Sequence, residues 1–338
     1  MARDRGSRRS EDALIKPVAI DRWPRGISCE GGFRLLGTPL AFPGARRPGL
    51  LFAGHVDSVS PGRGQRLLAT PFTAAALDAG RRELDVLTLE FERRIRLGRM
   101  DFRLLPSGRG TGAAQLEVHY RDRRIVYTDG VRLAAPLHGN PAEIPRCDLL
   151  LLDTAPAEPK PPAPRRTAAR LVDWVGDRLG REVPVVACGN KAAALDAARE
   201  LFDAGIRLRA ARGLYELLFR VASQGFGTGD LCRLEQDLPR DCAILYPAHL
   251  WPGSRFAGME LVRTVLAGPG RERPEWAEAG FRLGEIEDRP GLVDYVQKSE
   301  ASQVALGRSC DAATAAALQR TGVAVFRVER PMQIPLPI

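Results

Sequence analysis

The chain has 338 residues, of which 44% are apolar and 27% charged, and it carries a net charge of +9 at pH 7. That length and balance fit a globular protein with ample core, in two domains or one large one. No apolar run approaches the roughly 20 residues of a membrane span, so no membrane partner is expected.

Residues 1–18, opening MARDRGSRRSED, are basic and lead into no apolar segment, so they read as a disordered basic arm and not as a secretory signal. The expected location is cytoplasmic. The six cysteines (29, 147, 188, 232, 242 and 310) stand singly with no CxxC pair. They are expected as buried, reduced thiols, not as a structural zinc site. Of the 50 basic residues only four are Lys (16, 160, 191 and 298). A basic surface favours phosphate-bearing partners, although the 41 acidic residues also fit a solvated mixed-charge surface.

The first half reads as strands. Leu87–Phe91 and Leu116–Tyr120 alternate, while Arg124–Tyr127 and Leu149–Asp153 begin or run as short apolar segments of buried strands. Turn-rich stretches such as PSGRGTG and TDG separate them. APAEPKPPAPRR, residues 155–166, carries five Pro and reads as an extended linker. Helical patterns then cover 167–180, 191–203 and 212–223, between strand-like runs at Val183–Ala187 and Ala243–Tyr246. Near the C-terminus Gln303–Leu306 predicts a strand, Asp311 an N-cap for a helix ending before Gly322, and Val323–Val328 a last strand.

The stretch LFAGHVDSVSPGRG, residues 51–64, raises a chemical question. An apolar strand stops at His55 and Asp57, two apart, before a Gly-rich turn. Closely spaced His and Asp at a strand end are a common way to start a metal site, but such a site needs further ligands. The whole chain has four His: 55, 119, 138 and 249. His119 alternates outward in a strand and is expected at or near the surface. His249, beside Trp251, reads as a packing residue, with base stacking as the alternative. No Walker A, Rossmann fingerprint or Ser-His-Asp order is present.

Taken in order, PRGISC (24–29), HVDSVSPGRGQRLLATP (55–71), LPSGRGTGAAQLEV (105–118), RIVYTDG (124–130), CDLLLLDTA (147–155), FRLGEIEDRPGL (281–292) and LGRSC (306–310) resemble the metallo-β-lactamase superfamily, β-CASP branch. The likeness is to bacterial DNA-ligase-associated exonucleases, also described as mRNA 3′-end processing factors. ACGNKAAAL, within the more loosely matching 162–279, resembles the opening of the β-CASP domain. The resemblance implies an α/β fold: a metallo-β-lactamase αββα sandwich formed by 19–161 and 280–338, with an inserted α/β β-CASP cap at 162–279. In active relatives the cleft between the two holds two zinc ions and hydrolyses a phosphodiester.

Two-metal hydrolysis needs His and carboxylate ligands holding two ions about 4 Å apart. Carried over residue by residue, the HxHxDH motif of such relatives becomes Ala53-Gly54-His55-Val56-Asp57-Ser58. His55 and Asp57 survive, whereas Ala53 and Ser58 replace ligand His residues. Arg109 and Arg308 stand at two further His positions and Ile286 at another, flanked by Glu285, Glu287 and Asp288. The bridging Asp falls on Gly130, with Asp129 one residue early and expected to point away from the site. Asp153 keeps its acidic position before Thr154. The remnant positions are thus His55, Asp57, Asp129, Asp153 and Asp288. Arg cannot ligate zinc, because it offers only donors. Its guanidinium could instead neutralise Asp57 and Asp153, or bind phosphate.

The expectation is a catalytically degenerate nuclease-like protein with no cofactor, acting as a nucleic-acid-binding or scaffolding subunit in DNA repair or RNA processing. Arg63, Arg109, Lys191 and Arg308 are the candidate contacts to DNA or RNA. An active paralogue, a ligase or a helicase are the protein partners the resemblance suggests. Two alternatives stay open. One is an active exonuclease with an atypical one-metal site holding zinc or manganese. The other is a pure protein-interaction module.

Overall fold

The computed structural model describes residues 26–29, 32–45, 48–58, 65–77, 85–154, 156, 160–269, 272–284 and 286–327. The basic arm, Arg63 with its PGRG turn, and Glu285 lie outside the described residues. The described residues form a mixed α/β protein with three sheets.

The first sheet holds β1 (Ile27–Ser28), β2 (Arg34–Leu35), β3 (Leu40–Ala41), β4 (Gly49–Phe52), β5 (Gln65–Ala69) and β6 (Val86–Thr88), in that order. It is antiparallel from β1 to β3 and parallel from β3 to β6. The strand expected over Leu87–Phe91 ends at Thr88. Leu89 still donates its N–H to the Ala69 carbonyl, while Phe91 bridges to Leu104 of the second sheet. The alternating pattern therefore spans a crossing between sheets, not one strand. Helix α1 (Pro71–Ala76) follows β5, capped by Thr70 and opened by Pro71. It covers the first sheet with Ala74 and Leu77 against Ala53, Leu67 and Ala69.

The second sheet is built from β7 (Ile95–Leu97), β8 (Met100–Pro106), β9 (Ala114–Tyr120), β10 (Arg123–Thr128) and β11 (Leu149–Leu152), continued by β18 (Gln303–Leu306) and β19 (Ala324–Arg327). Strands β7 to β10 are antiparallel; β10, β11, β18 and β19 are parallel. The first two sheets close on one apolar core, where Phe42 stacks on Tyr127 at 4.2 Å and Phe52 meets it edge-on at 5.9 Å. The other face of the second sheet is covered by α5 (Arg289–Lys298) and α6 (Ala312–Gln319), through Leu292, Tyr295 and Leu318. These four layers each bury an apolar face against the next.

The third sheet is wholly parallel: β12 (Val183–Cys188), β13 (Leu208–Ala210), β14 (Leu231–Arg233), β15 (Ala243–Pro247), β16 (Val262–Gly268) and β17 (Ala279–Arg282), in spatial order β14-β13-β15-β12-β16-β17. Strand β17 crosses the 279/280 boundary expected from the sequence. Three helices pack here: α2 (Pro164–Gly176), α3 (Lys191–Asp203) and α4 (Arg212–Ala222). Helix α2 begins within the Pro-rich stretch, three residues earlier than expected, because Pro164 sits in its first turn, where a missing N–H has no consequence. Val56 and Phe72 of the first unit enter this core, Phe72 lying 6.0 Å from Phe226. The seam beside the candidate site is therefore packed. Among the described residues no helix is long and apolar enough to cross a membrane.

Candidate functional site

Four of the five remnant positions, His55, Asp57, Asp129 and Asp153, lie where β4, β8, β10, β11 and β18 end and α3 begins. Loops at the carboxyl ends of parallel strands are the usual place for a site in such sheets. Residues 55–58 form a tight turn closed by the Ser58 N–H on the His55 carbonyl at 2.9 Å.

His55 is buried. Its Nδ1 accepts the Asp57 N–H at 3.3 Å, and the ring also hydrogen-bonds the Arg109 main chain. Burial drives its pKa well below the ordinary value, and the charges of Arg109 and Lys191 add to this. The ring turns its polar atoms to the main chain.

Asp57 faces the start of α3. Its Oδ1 accepts the Lys191 N–H at 2.8 Å and its Oδ2 the Ala192 N–H at 3.4 Å. A carboxylate here satisfies donors that the first turn of a helix leaves open and complements the helix dipole. Burial nonetheless pushes the Asp57 carboxyl up, against the lowering effect of those N–H groups and of Arg109 and Lys191. The Lys191 ammonium donates to the Val56 carbonyl at 3.2 Å, so this candidate contact to nucleic acid fastens the turn.

Asp129 does not point away. Its Oδ2 accepts the Ser58 hydroxyl at 3.1 Å and its Oδ1 the Arg109 guanidinium at 3.0 Å, which also reaches the Asp129 carbonyl at 3.2 Å. Strand β10 ends at Thr128, whose hydroxyl accepts the Gly130 N–H. The two-residue alternation stops there, and the turn swings Asp129 into the site. Ser58, standing at an expected ligand position, accepts the His55 N–H at 3.0 Å and so links His55 to Asp129.

Gly130 has φ +141°, and a Cβ built there would lie 3.0 Å from Thr154 Oγ1, 3.2 Å from Ile286 Cγ2 and 3.3 Å from Arg109 Cδ. The position to which the resemblance assigns a bridging carboxylate is thus crowded by Thr154, Ile286 and Arg109. Ala53 is buried against the first sheet.

Arg109 pairs with Asp129, not with Asp57 or Asp153 as the sequence suggested. Asp153 accepts the Ser309 N–H at 3.0 Å, and Gly307 passes so close that any side chain there would strike it. Arg308 is exposed at the rim beside it. Asp288 is not in the site: it is the N-cap of α5, accepting the Gly291 N–H at 2.9 Å. Glu287 beside it accepts the Leu133 N–H at 2.8 Å. His119 is half-buried, 2.8 Å from Glu117. His249 is exposed while Trp251 takes the buried place, which corrects the packing reading. The 3-10 turn over Ala248–Gly253 directs the two rings apart.

Among the described residues, no three or more His, Cys, Asp or Glu side chains gather so as to hold a metal ion. Two polar atoms at the site are buried without a partner among the described residues: Arg109 Nε and the Tyr127 hydroxyl. Arg109 Nε can only donate, which suits an acceptor and not a cation, whereas the Tyr127 hydroxyl can donate or accept. The donor set does not fit a pair of zinc ions.

No protein-family model matches the chain, and no curated protein does. A crystal structure of a protein of unknown function from Enterococcus faecalis V583 is similar in fold, with a TM-score of 0.57 and 11% identity over 83% of this chain and 79% of that one.

The sequence reading missed one residue of the seam. Asp196 lies on α3, accepts a hydrogen bond from the Gly284 main chain and faces Arg132. Burial pushes it up to about 7. The signal was present: α3 buries Ala192, Ala193, Ala194, Leu195, Ala197, Ala198 and Leu201, nearly its whole circumference. A carboxylate on such a helix has little solvent left to it, and Asp196 is half-buried. Nearby, His138 Nε2 lies 3.0 Å from Glu200, and His138 lines both a cavity of about 360 Å³ and a small pocket that His55 also lines.

Proposed function

We propose that this chain is a metallo-β-lactamase protein of the β-CASP branch that has lost its metal centre and binds nucleic acid without cleaving it. The order of the sequence motifs supports the family reading, as does the arrangement of two facing sheets, flanking helices and a parallel-sheet unit between β11 and β18. One observation carries the functional reading: the three carboxylates of the site each accept hydrogen bonds from the protein's own donors. Asp57 is held by the first turn of α3, Asp129 by Arg109 and Ser58, and Asp153 by Ser309. A hydrolytic two-metal site needs those oxygens free for cations. Arg308 at the rim and the net charge of +9 favour a phosphate-bearing partner.

The test measures zinc and manganese in the purified full chain beside cleavage and binding of single-stranded DNA and RNA. The expected result is binding that weakens as salt rises, no cleavage with either metal added, and weaker binding by Arg308→Gln. Stoichiometric metal with metal-dependent cleavage would overturn the reading. So would the absence of any binding.

A further inference from the structure

A second basic site lies at the far end of the same strands. Strand β9 leaves the candidate site at Ala114, whose N–H bonds Gly54, and ends at Tyr120, which pairs with Arg123. At about 3.3 Å per residue, this end is on the order of 20 Å from Asp129. A cavity of about 640 Å³ opens here, with Arg99, Arg121, Arg123, Arg124 and Arg146 in its wall.

Four carboxylates share the wall, and three are already engaged. Asp101 takes the Arg96 guanidinium on both oxygens, at 2.7 and 2.9 Å. Asp148 accepts the Arg124 N–H at 2.7 Å, and Glu300 pairs with Arg146 at 2.9 Å. Among the described residues Arg99 and Arg121 have no carboxylate partner; Arg121 lies over the Tyr120 ring at 5.1 Å. Asp122 is the one unengaged carboxylate against these two guanidinium groups. The basic character continues outward into β7 and the residues before it, where Arg93, Arg94 and Arg96 are exposed. Arg96, His119 and Arg94 together hold Asp101 below the usual carboxylate range, so these charges act on one space.

The backbone adds an independent observation. Four described non-glycine residues have left-handed backbone, and three of them wall this cavity: Arg121 (φ 50°), Asp122 (φ 59°) and Glu300 (φ 52°). The two-residue β9–β10 turn needs positive φ at both positions, where Asn-Gly is the favoured pair. An Arg in that place strains the backbone and keeps a guanidinium at the tip.

We infer that this groove binds phosphate groups, in a site separate from the cleft. Guanidinium forks match phosphate oxygens in pairs, and the volume suits a ligand of small-molecule size or a short length of strand. The phosphate comes either from a free polyphosphate or from a nucleic-acid strand.

The test titrates the full chain with inorganic pyrophosphate and, separately, with a labelled single-stranded oligonucleotide. The wild type is compared with the double variant Arg99→Gln, Arg121→Gln. Both positions are exposed, so the thermal midpoint of the variant reports that it is folded. The expected result is a roughly tenfold loss of affinity for the bound probe and a salt slope smaller by about one to two. A loss with pyrophosphate assigns a free polyphosphate; a loss confined to the oligonucleotide assigns a strand. Equal affinity of variant and wild type for both probes would overturn the inference, as would binding of neither. The cleft reading stands or falls on Arg308→Gln in the same assay, so the two failures are distinguishable.

Discussion

The guanidinium of Arg109 lies 3.0 Å from the carboxylate of Asp129, with both side chains mostly buried, at 13% and 15% exposure. This pair holds together the ends of β8 and β10 and, through Ser58, the turn after β4. Removing Arg109 leaves a buried carboxylate whose remaining side-chain donor is Ser58. Arg109→Ala is expected to cost about 3 kcal/mol. Arg109→Ala with Asp129→Ala should cost less than the two single changes added together, because the stranded charge is gone. Denaturant midpoints of the four proteins check this. Strict additivity would mean that the pair is not coupled.

Gly130→Asp places a carboxylate where the family resemblance has one. The backbone at φ +141° strains any side chain, and Thr154, Ile286 and Arg109 occupy the space. The variant is expected to lose about 2 kcal/mol or more from strain and crowding. It should gain no zinc. A stable variant that takes up zinc in equilibrium dialysis would show that the floor is open.

Asp57 ties the turn after β4 to the first turn of α3. Asp57→Ala removes an acceptor for two N–H groups and a charge that complements the helix dipole, with an expected loss of about 1–2 kcal/mol. Asp57→Asn keeps an acceptor oxygen without the charge and should fall between. Hydrogen exchange at the Lys191 and Ala192 amides is the direct readout. Unchanged protection in Asp57→Ala would mean that the carboxylate does not hold the helix.

Local signals in the sequence located the elements well where period and caps agreed. Helix α3 begins and ends where its pattern predicts, behind the Asn190 cap, and β18 spans Gln303–Leu306 as read. Helix α5 was not legible, because Asp288-Arg289-Pro290-Gly291 resembles a turn. Its Pro and Gly sit in the first turn, where a helix tolerates them. The two-residue strands β1, β2 and β3 carry no period at all. At the site, the scarcity of metal-ligating side chains was visible in the count of four His. The choice of partners was not, because it depends on how separate loops meet. Arg109 takes Asp129 since Asp57 is already satisfied by a helix terminus and Asp153 by the turn after β18. The inward swing of Asp129 follows from a strand ending one residue before it, a boundary that alternation cannot supply.

Asp196 gives the seam a pH dependence with a definite sign. Its carboxyl titrates at about 7 in the folded chain, against roughly 4 when unfolded. Below pH 4 both states hold the proton and the group contributes nothing to the slope. Between pH 4 and 7 the folded state keeps a proton that the unfolded state has lost, so stability falls as pH rises, by at most about 1.4 kcal/mol per unit. Above pH 7 both are ionised and the loss is complete. His55 and His138 act in the opposite sense, since burial lowers both, and they favour the folded state as pH rises toward 6.5. Asp196→Asn isolates the carboxylate from this background while keeping an acceptor for the Gly284 main chain. The variant should gain stability relative to wild type as pH rises from 5 to 8, with the two proteins converging toward pH 4. Thermal midpoints of both proteins across that range check it. Parallel curves would mean that Asp196 does not carry a raised pKa at the seam.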